Sequence, residues 1–276
     1  MKVSCFYLLV LAVGFGIISC DKLETPYATI KNVNVDTQRK ILLEDYTGHR
    51  CVNCPEATQV AEGLNITYKG HVIVMAVHAG FYSEPLPPDF PADYRVTEGI
   101  AWFNYFTLQY NPMGMINRKA FNGKQAIQYG QWPDSVAKII QQKADALLTI
   151  TNTLNQNNLS TTVTAKFKKL LAGSYNLSVC ILEDSLIGPQ SNNNPNIGPT
   201  PVIENYVFMN MLRGVVNGLF GDEVTNAVDT TMTYTKDFNY TLPAAWVPRH
   251  CSVVAFVFNA DTKEIVQAEK KAILSK

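Results

Sequence analysis

Glu44-Asp45-Tyr46-Thr47-Gly48-His49-Arg50-Cys51-Val52-Asn53-Cys54-Pro55 is the stretch on which the fold turns. An apolar run, Ile41-Leu42-Leu43, leads into it as a strand entering a core, and Thr47-Gly48 closes that strand with a turn. Pro55 then stands where a first helical residue would, and there its missing N–H costs nothing. Ala57, Val60, Ala61, Leu64 and Tyr68 follow at helical spacing and form one apolar stripe, which Gly70 ends. The next segment, His71 to His78, is almost continuously apolar, like a strand buried on both faces. Strand, CxxC, helix and strand in this order predict a βαβ unit with its cysteines at a helix N-terminus.

Such a placement has chemical consequences. Unpaired backbone N–H groups and the positive end of the helix dipole favour a thiolate at Cys51, and Arg50 adds a positive charge next to it. Two intervening residues bring Cys54 within one helical turn, so a mixed disulfide at Cys51 is resolved by Cys54. Strand alternation points Glu44 and Asp45 to opposite faces. The pair also fits an inert structural disulfide. Zinc is disfavoured because no second CxxC or Cys/His pair completes four ligands. His49 and His78 can approach the cysteines, which makes a copper site of two thiolates and one histidine conceivable, yet strand-end histidines are more often bystanders. No metal and no cofactor are expected.

The N-terminus supplies an address. Met1-Lys2 is followed by an unbroken small or apolar run from Phe6 to Ile18, too short to span a bilayer, which takes about 20 residues. It ends in Ile17-Ile18-Ser19-Cys20, which resembles a lipobox, so residues 1–19 are expected to leave as a lipoprotein signal peptide and Cys20 to carry lipid. Residues 20–38 are polar and aperiodic, a tether. No later stretch reaches eighteen apolar residues, so membrane attachment is expected through lipid alone. Lys plus Arg equals Asp plus Glu at 23 each, and nothing points to nucleic acid. With Cys5 lost and Cys20 acylated, four cysteines remain: Cys51, Cys54, Cys180 and Cys251.

Residues 81–110 read as an insertion, proline-rich at first and then a candidate helix from Tyr94 to Leu108 with Trp102, Phe103, Tyr105 and Phe106. That aromatic group suits a local core better than a substrate groove. A short strand from Met113 to Arg118, a hairpin turn at Phe121-Asn122-Gly123 and a helix after Pro133-Asp134-Ser135 follow, the last with Val136, Ile139, Ile140, Ala144 and Leu147 inward. From about Thr149 seven segments alternate like strands, near 147–154, 159–168, 174–183, 203–212, 230–241, 250–259 and 264–273, which predicts an antiparallel β-sandwich. The Asn- and Pro-rich run 188–199 is expected to be an exposed loop. Cys180 and Cys251 fall on strands of that sandwich, as a possible structural disulfide or as buried free thiols.

The segment from Leu43 to Pro55 resembles the active-site segment of the thioredoxin superfamily, over roughly residues 38–148. The resemblance implies that Asp45 is a buried acid relaying protons to Cys54. It also implies that Pro112 is a cis-proline lying against the CxxC. Arg50 replaces the aromatic residue usual before the first cysteine. A wider resemblance, carried by Glu44 to Ala57, Pro112 to Arg118, Leu182-Glu183-Asp184 and Val253 to Asn259, is to the twenty-eight-kilodalton outer-membrane proteins of Bacteroidota. It implies an outer-membrane lipoprotein facing periplasm or surface, α/β plus all-β: a thioredoxin-like domain over 39–148, then an immunoglobulin-like β-sandwich over 149–276. Two functions follow, a thiol–disulfide oxidoreductase acting on protein thiols, or a non-catalytic adhesin or envelope scaffold that binds another envelope protein.

Overall fold

A computed structural model describes residues 39–225 and 232–274. The signal peptide, the acylation at Cys20 and the tether therefore lie outside the described residues. Strands β1 (Ile41–Thr47) and β2 (Val72–His78) pair in parallel in register from Ile41↔Val72 to Thr47↔His78, and every residue of both is buried. Helix α1 (Cys54–Thr67) joins them, and its expected stripe, Ala57, Val60, Ala61 and Leu64, packs on one face of the pair. The helix gives way at Lys69 and Gly70, both at positive φ.

Beyond β1, β3 (Met113–Ile116) and β4 (Ala126–Ile127) run antiparallel, and α3 (Trp132–Ile140) covers the same face as α1. The expected hairpin turn is present, with Asn122 and Gly123 at φ 51° and 77° between the bridged Phe121 and Lys124. In the insertion, α2 (Thr97–Tyr105) is shorter than the helix expected over 94–108. Its Trp102 is fully buried in a core shared with the second half of the chain, and its indole N–H donates to the Leu219 carbonyl (2.7 Å). Trp102, with Phe103 and Phe106 packed against it, is thus core, but not core local to the insertion, and Tyr105 is exposed. Helix α3 also stops early: Leu147 is not on it but in the following strand.

That strand, β5 (Ala146–Asn155), forms a three-stranded antiparallel sheet with β6 (Asn158–Phe167) and β12 (Thr233–Thr241). The remaining expected strands appear as β7 (Tyr175–Glu183), β13 (Cys251–Asn259) and β14 (Ile265–Ala272). Between them the predicted segment 203–212 is divided into β9 (Val202–Phe208) and β10 (Met211–Val215), because Asn210 takes φ 56° and its N–H is held by the Asp184 carboxylate (2.6 Å). Two strands were not anticipated, β8 (Leu186–Ser191), paired with β9, and β11 (Asp222–Thr225), paired with β7.

The expected division near residue 148 is not a division between sheets. Strands β14-β13-β7-β10-β2-β1-β3-β4 run in that order through one mixed sheet, with β10 parallel to β2 at Met211↔Ala76. All described residues belong to one compact unit. The sheet rolls so that β14 returns to the start of β1: Ile265 N–H donates to the Asn117 carbonyl (2.8 Å), and Lys40 N–H to Gln267 Oε1 (2.9 Å). Inside the roll lie Leu42, Tyr46, Ile73 and Met75 against Val254, Phe256 and Phe258. On the other face of β7 and β13, Leu177, Val179, Val253 and Ala255 pack against β5 and β6 as a two-layer core.

Candidate functional site

β1 delivers the chain to the motif. Gly48 follows it in a passage only glycine fits, since a Cβ there would stand 2.5 Å from the Tyr82 carbonyl. Arg50 N–H donates to that same carbonyl (3.0 Å), and Cys51 N–H to the Gly48 carbonyl (3.0 Å), which fixes the turn into α1. Cys51 and Cys54 are joined as a disulfide with Cα atoms 5.4 Å apart. The Arg50 guanidinium lies over the Phe81 ring, 4.8 Å from its centroid, and donates to the Phe81 carbonyl. Its charge is therefore engaged away from the motif.

Both cysteines are buried, Cys51 at 3% exposure and Cys54 at 1%. Val52 between them is exposed. The segment 190–193, expected to be part of an exposed loop, is held against the motif. Ser191 N–H donates to the His49 carbonyl (2.8 Å) and Asn193 N–H to the Val52 carbonyl (3.3 Å), so this segment runs beside the motif as a neighbouring strand would. The Gln190 amide donates to the Cys51 carbonyl (2.9 Å), and Asn193 Nδ2 to Asn53 Oδ1 (2.8 Å). Gln190 and Asn192 are buried. Asn192 brings its own partners, donating to the Asn194, Gly198 and Pro199 carbonyls.

Asp45 lies between Ala76 of β2 and Gly114 of β3, and two residues on from Leu43 it shares the strand face that Leu43 turns to α1. It is fully buried, its Oδ1 has no hydrogen-bond partner, and loss of solvation pushes its carboxyl up to about 7. Glu44 points the opposite way, as alternation requires. It accepts from Nε and Nη2 of the buried Arg118 at 2.8 and 2.7 Å, and that guanidinium is ringed by Trp102, Phe106, Phe256 and Phe258 at 5.1 to 5.6 Å. The Asn111–Pro112 bond is cis, as expected, and Pro112 is buried one residue before Met113, the partner of Tyr46 at the end of β1.

His49 and His78 come together, with ring centroids 6.1 Å apart. Burial, assisted by the Arg50 charge, holds His49 down to about 4; burial, assisted by His49, holds His78 down to about 3. Among the described residues, no three His, Cys, Asp or Glu side chains converge as metal ligands would. Cys180 and Cys251 do not pair. Cys180 faces the interior of the rolled sheet and Cys251 the opposite core, so the sheet itself separates them. Burial raises both thiols to about 12. Sequence reasoning missed the buried pairing of Arg118 and the docking of the 190–193 segment beside the motif. It noticed the histidines only as neighbours of the cysteines.

Residues 100–276, more than half of the chain, match the family model described as outer membrane protein Omp28. The chain belongs to the Omp28 family. Its address is accordingly the outer membrane, and no helix among the described residues is long and apolar enough to cross one. Among solved structures, a domain of the outer membrane lipoprotein Omp28 from Porphyromonas gingivalis is similar at 20% identity, covering 47% of this chain and 88% of that one with a TM-score of 0.32. A structural-genomics protein from Agrobacterium tumefaciens is similar at 14% identity, covering 86% of this chain and 96% of that one with a TM-score of 0.49. No curated protein matches the sequence.

Proposed function

We propose that this Omp28-family protein is anchored by lipid at Cys20 and exchanges thiols and disulfides with protein substrates through Cys51 and Cys54, on a thioredoxin-like frame. The strand order β2-β1-β3-β4 with α1 and α3 on one face, and the cis Pro112 at the head of β3, support that frame. The observation that carries the reading is Asp45. An inert disulfide has no use for a buried, unpaired carboxyl on the α1 face of the same strand, whereas a resolving thiol needs a proton donor and acceptor there.

In the oxidised state a partner thiolate attacks Cys51 Sγ, the Cys51–Cys54 bond breaks, and Cys54 leaves as a thiolate that takes the Asp45 proton. A second partner thiolate then attacks the partner sulfur of the mixed disulfide and expels Cys51 as a thiolate. The partner loses two electrons and the protein gains them. Run backwards, Asp45 takes the proton from Cys54.

Two measurements test the proposal. Cys54→Ser should accumulate a mixed disulfide on Cys51 when mixed with reduced envelope protein, and reduced wild type should alkylate at Cys51 faster near neutral pH than a thiol of pKa about 8.5. An unreactive Cys51 together with no trapped partner would leave a binding lipoprotein with a structural disulfide, a reading that the burial of both sulfurs favours. Separately, Cys20→Ala should abolish incorporation of labelled fatty acid; undiminished labelling would remove the anchor from Cys20.

A further inference from the structure

Residues 190–193 reach the motif from β8 and β9, which form a two-stranded ribbon apart from the main sheet. Beyond β8 the ribbon braces its own turn. Asn192 N–H donates to the Pro201 carbonyl (2.8 Å), and Asn192 Oδ1 accepts from Asn194 N–H (3.0 Å). The Asn192 amide adds its bonds to the Asn194, Gly198 and Pro199 carbonyls. The bonds to the motif are of another kind. Ser191 and Asn193 offer main-chain N–H groups to the His49 and Val52 carbonyls, on either side of Cys51 in the chain. The Gln190 and Asn193 side chains offer amides to the Cys51 carbonyl and to Asn53 Oδ1. No side chain from Gln190 to Asn193 is apolar, so the ribbon is held against the motif by hydrogen bonds.

Main-chain N–H groups are what any extended polypeptide carries. A strand taking the place of 190–193 supplies the same donors, so the His49 and Val52 carbonyls stay paired through the exchange of one for the other. A small thiol brings no such donors. Both sulfurs are buried, so a protein thiolate reaches Cys51 only when something beside the motif gives way. Building on the thiol–disulfide reading above, we infer that residues 190–193 are an intramolecular strap, seated where an extended segment of a protein substrate pairs beside Cys51. The substrate cysteine therefore lies in a segment free to extend, not in a helix. Its binding lifts the strap, and the strap returns when the product leaves.

The test uses the full chain carrying Cys54→Ser, with Cys51 linked either to cysteamine or to an unstructured cysteine peptide. Each is added as its activated disulfide with thionitrobenzoate, and hydrogen exchange at single amides is read by NMR against the unmodified variant. In the peptide adduct, exchange at Ser191 and Asn193 should rise at least about 10-fold, while Asn192, bonded within the ribbon, stays protected. In the cysteamine adduct all three should stay protected. Adding Gln190→Ala/Asn193→Ala should speed attachment of the peptide by roughly 5–100-fold, at about 2–10-fold per lost hydrogen bond. Unchanged protection in the peptide adduct, equal loss in both adducts, or no gain in the added variant would overturn the strap and leave the exchange reading standing. A Cys51 that accepts neither activated thiol would remove the exchange reading, and the strap with it.

Discussion

At the scale of single residues, β1 carries two carboxylates back to back and treats them in opposite ways. Glu44 is charge-paired by Arg118 inside the roll, whereas Asp45 has no cation and an unpaired oxygen. Folded Asp45 holds its proton up to about 7, the unfolded chain only to about 4. Between these values the native state binds a proton that the unfolded state has lost, so stability falls as pH rises through that window and levels off above it. Asp45→Asn should flatten this slope: unfolding in urea at pH 4 should change little, while at pH 8 the variant should gain roughly 1–4 kcal/mol over wild type. A slope unchanged in the variant would assign the titration to another group. Removing Arg118's charge should act the other way, since a buried Glu44 left alone costs about 3–5 kcal/mol; Arg118→Met measured in the same urea experiment checks it. The opposite facing of Glu44 and Asp45 was legible from strand alternation. The Arg118 pair was not, because the partner is 74 residues away and half of its aromatic surround comes from β13.

At the scale of elements, the motif and its cover come from distant parts of the chain. Strand β1, the CxxC, α1 and β2 were legible because each rests on local signals, a period, a turn pair or a proline at a helix start, whereas the cis Pro112 came from the resemblance alone. The segment 190–193 was not. Gly188-Pro189-Gln190-Ser191-Asn192-Asn193 has the composition of a solvated loop, and its packing depends on polar side chains that satisfy backbone carbonyls, which no hydrophobic period reveals. Gln190→Ala would free the Cys51 carbonyl and loosen this cover. At about 0.5–1.5 kcal/mol per hydrogen bond, reduction of Cys51–Cys54 by dithiothreitol should accelerate by roughly 2–10-fold. Mass-spectrometric timing of that reduction is the measurement, and an unchanged rate would mean that the segment does not limit access.

At the scale of the whole molecule, the shared sheet makes the two halves of the chain one folding unit. The change of texture near residue 148 was real, in that β-rich sequence does begin there, but composition cannot show that β10 inserts beside β2. That pairing joins segments more than a hundred residues apart, and the core of the roll draws on both sides of it. Residues 39–148 alone would expose Leu42, Ile73 and Met75 and leave β2 as an open edge. Calorimetry of the full chain should therefore give one cooperative transition, and the 39–148 fragment should lack one and bind hydrophobic dyes. Two separated transitions, or a fragment that melts cooperatively, would restore two independent domains.

The direction of β1 sets a geography. The chain enters at Arg39, beside β14, and the strand carries it about 20 Å at 3.3 Å per residue before the motif begins. On the proposed lipid anchor at Cys20, the tether joins β1 at the end opposite the one that leads into Cys51 and Cys54. Residues 21–38, even fully stretched, allow at most about 60 Å of reach. On that proposed anchor, the tether bounds how far from the membrane the fold can stand.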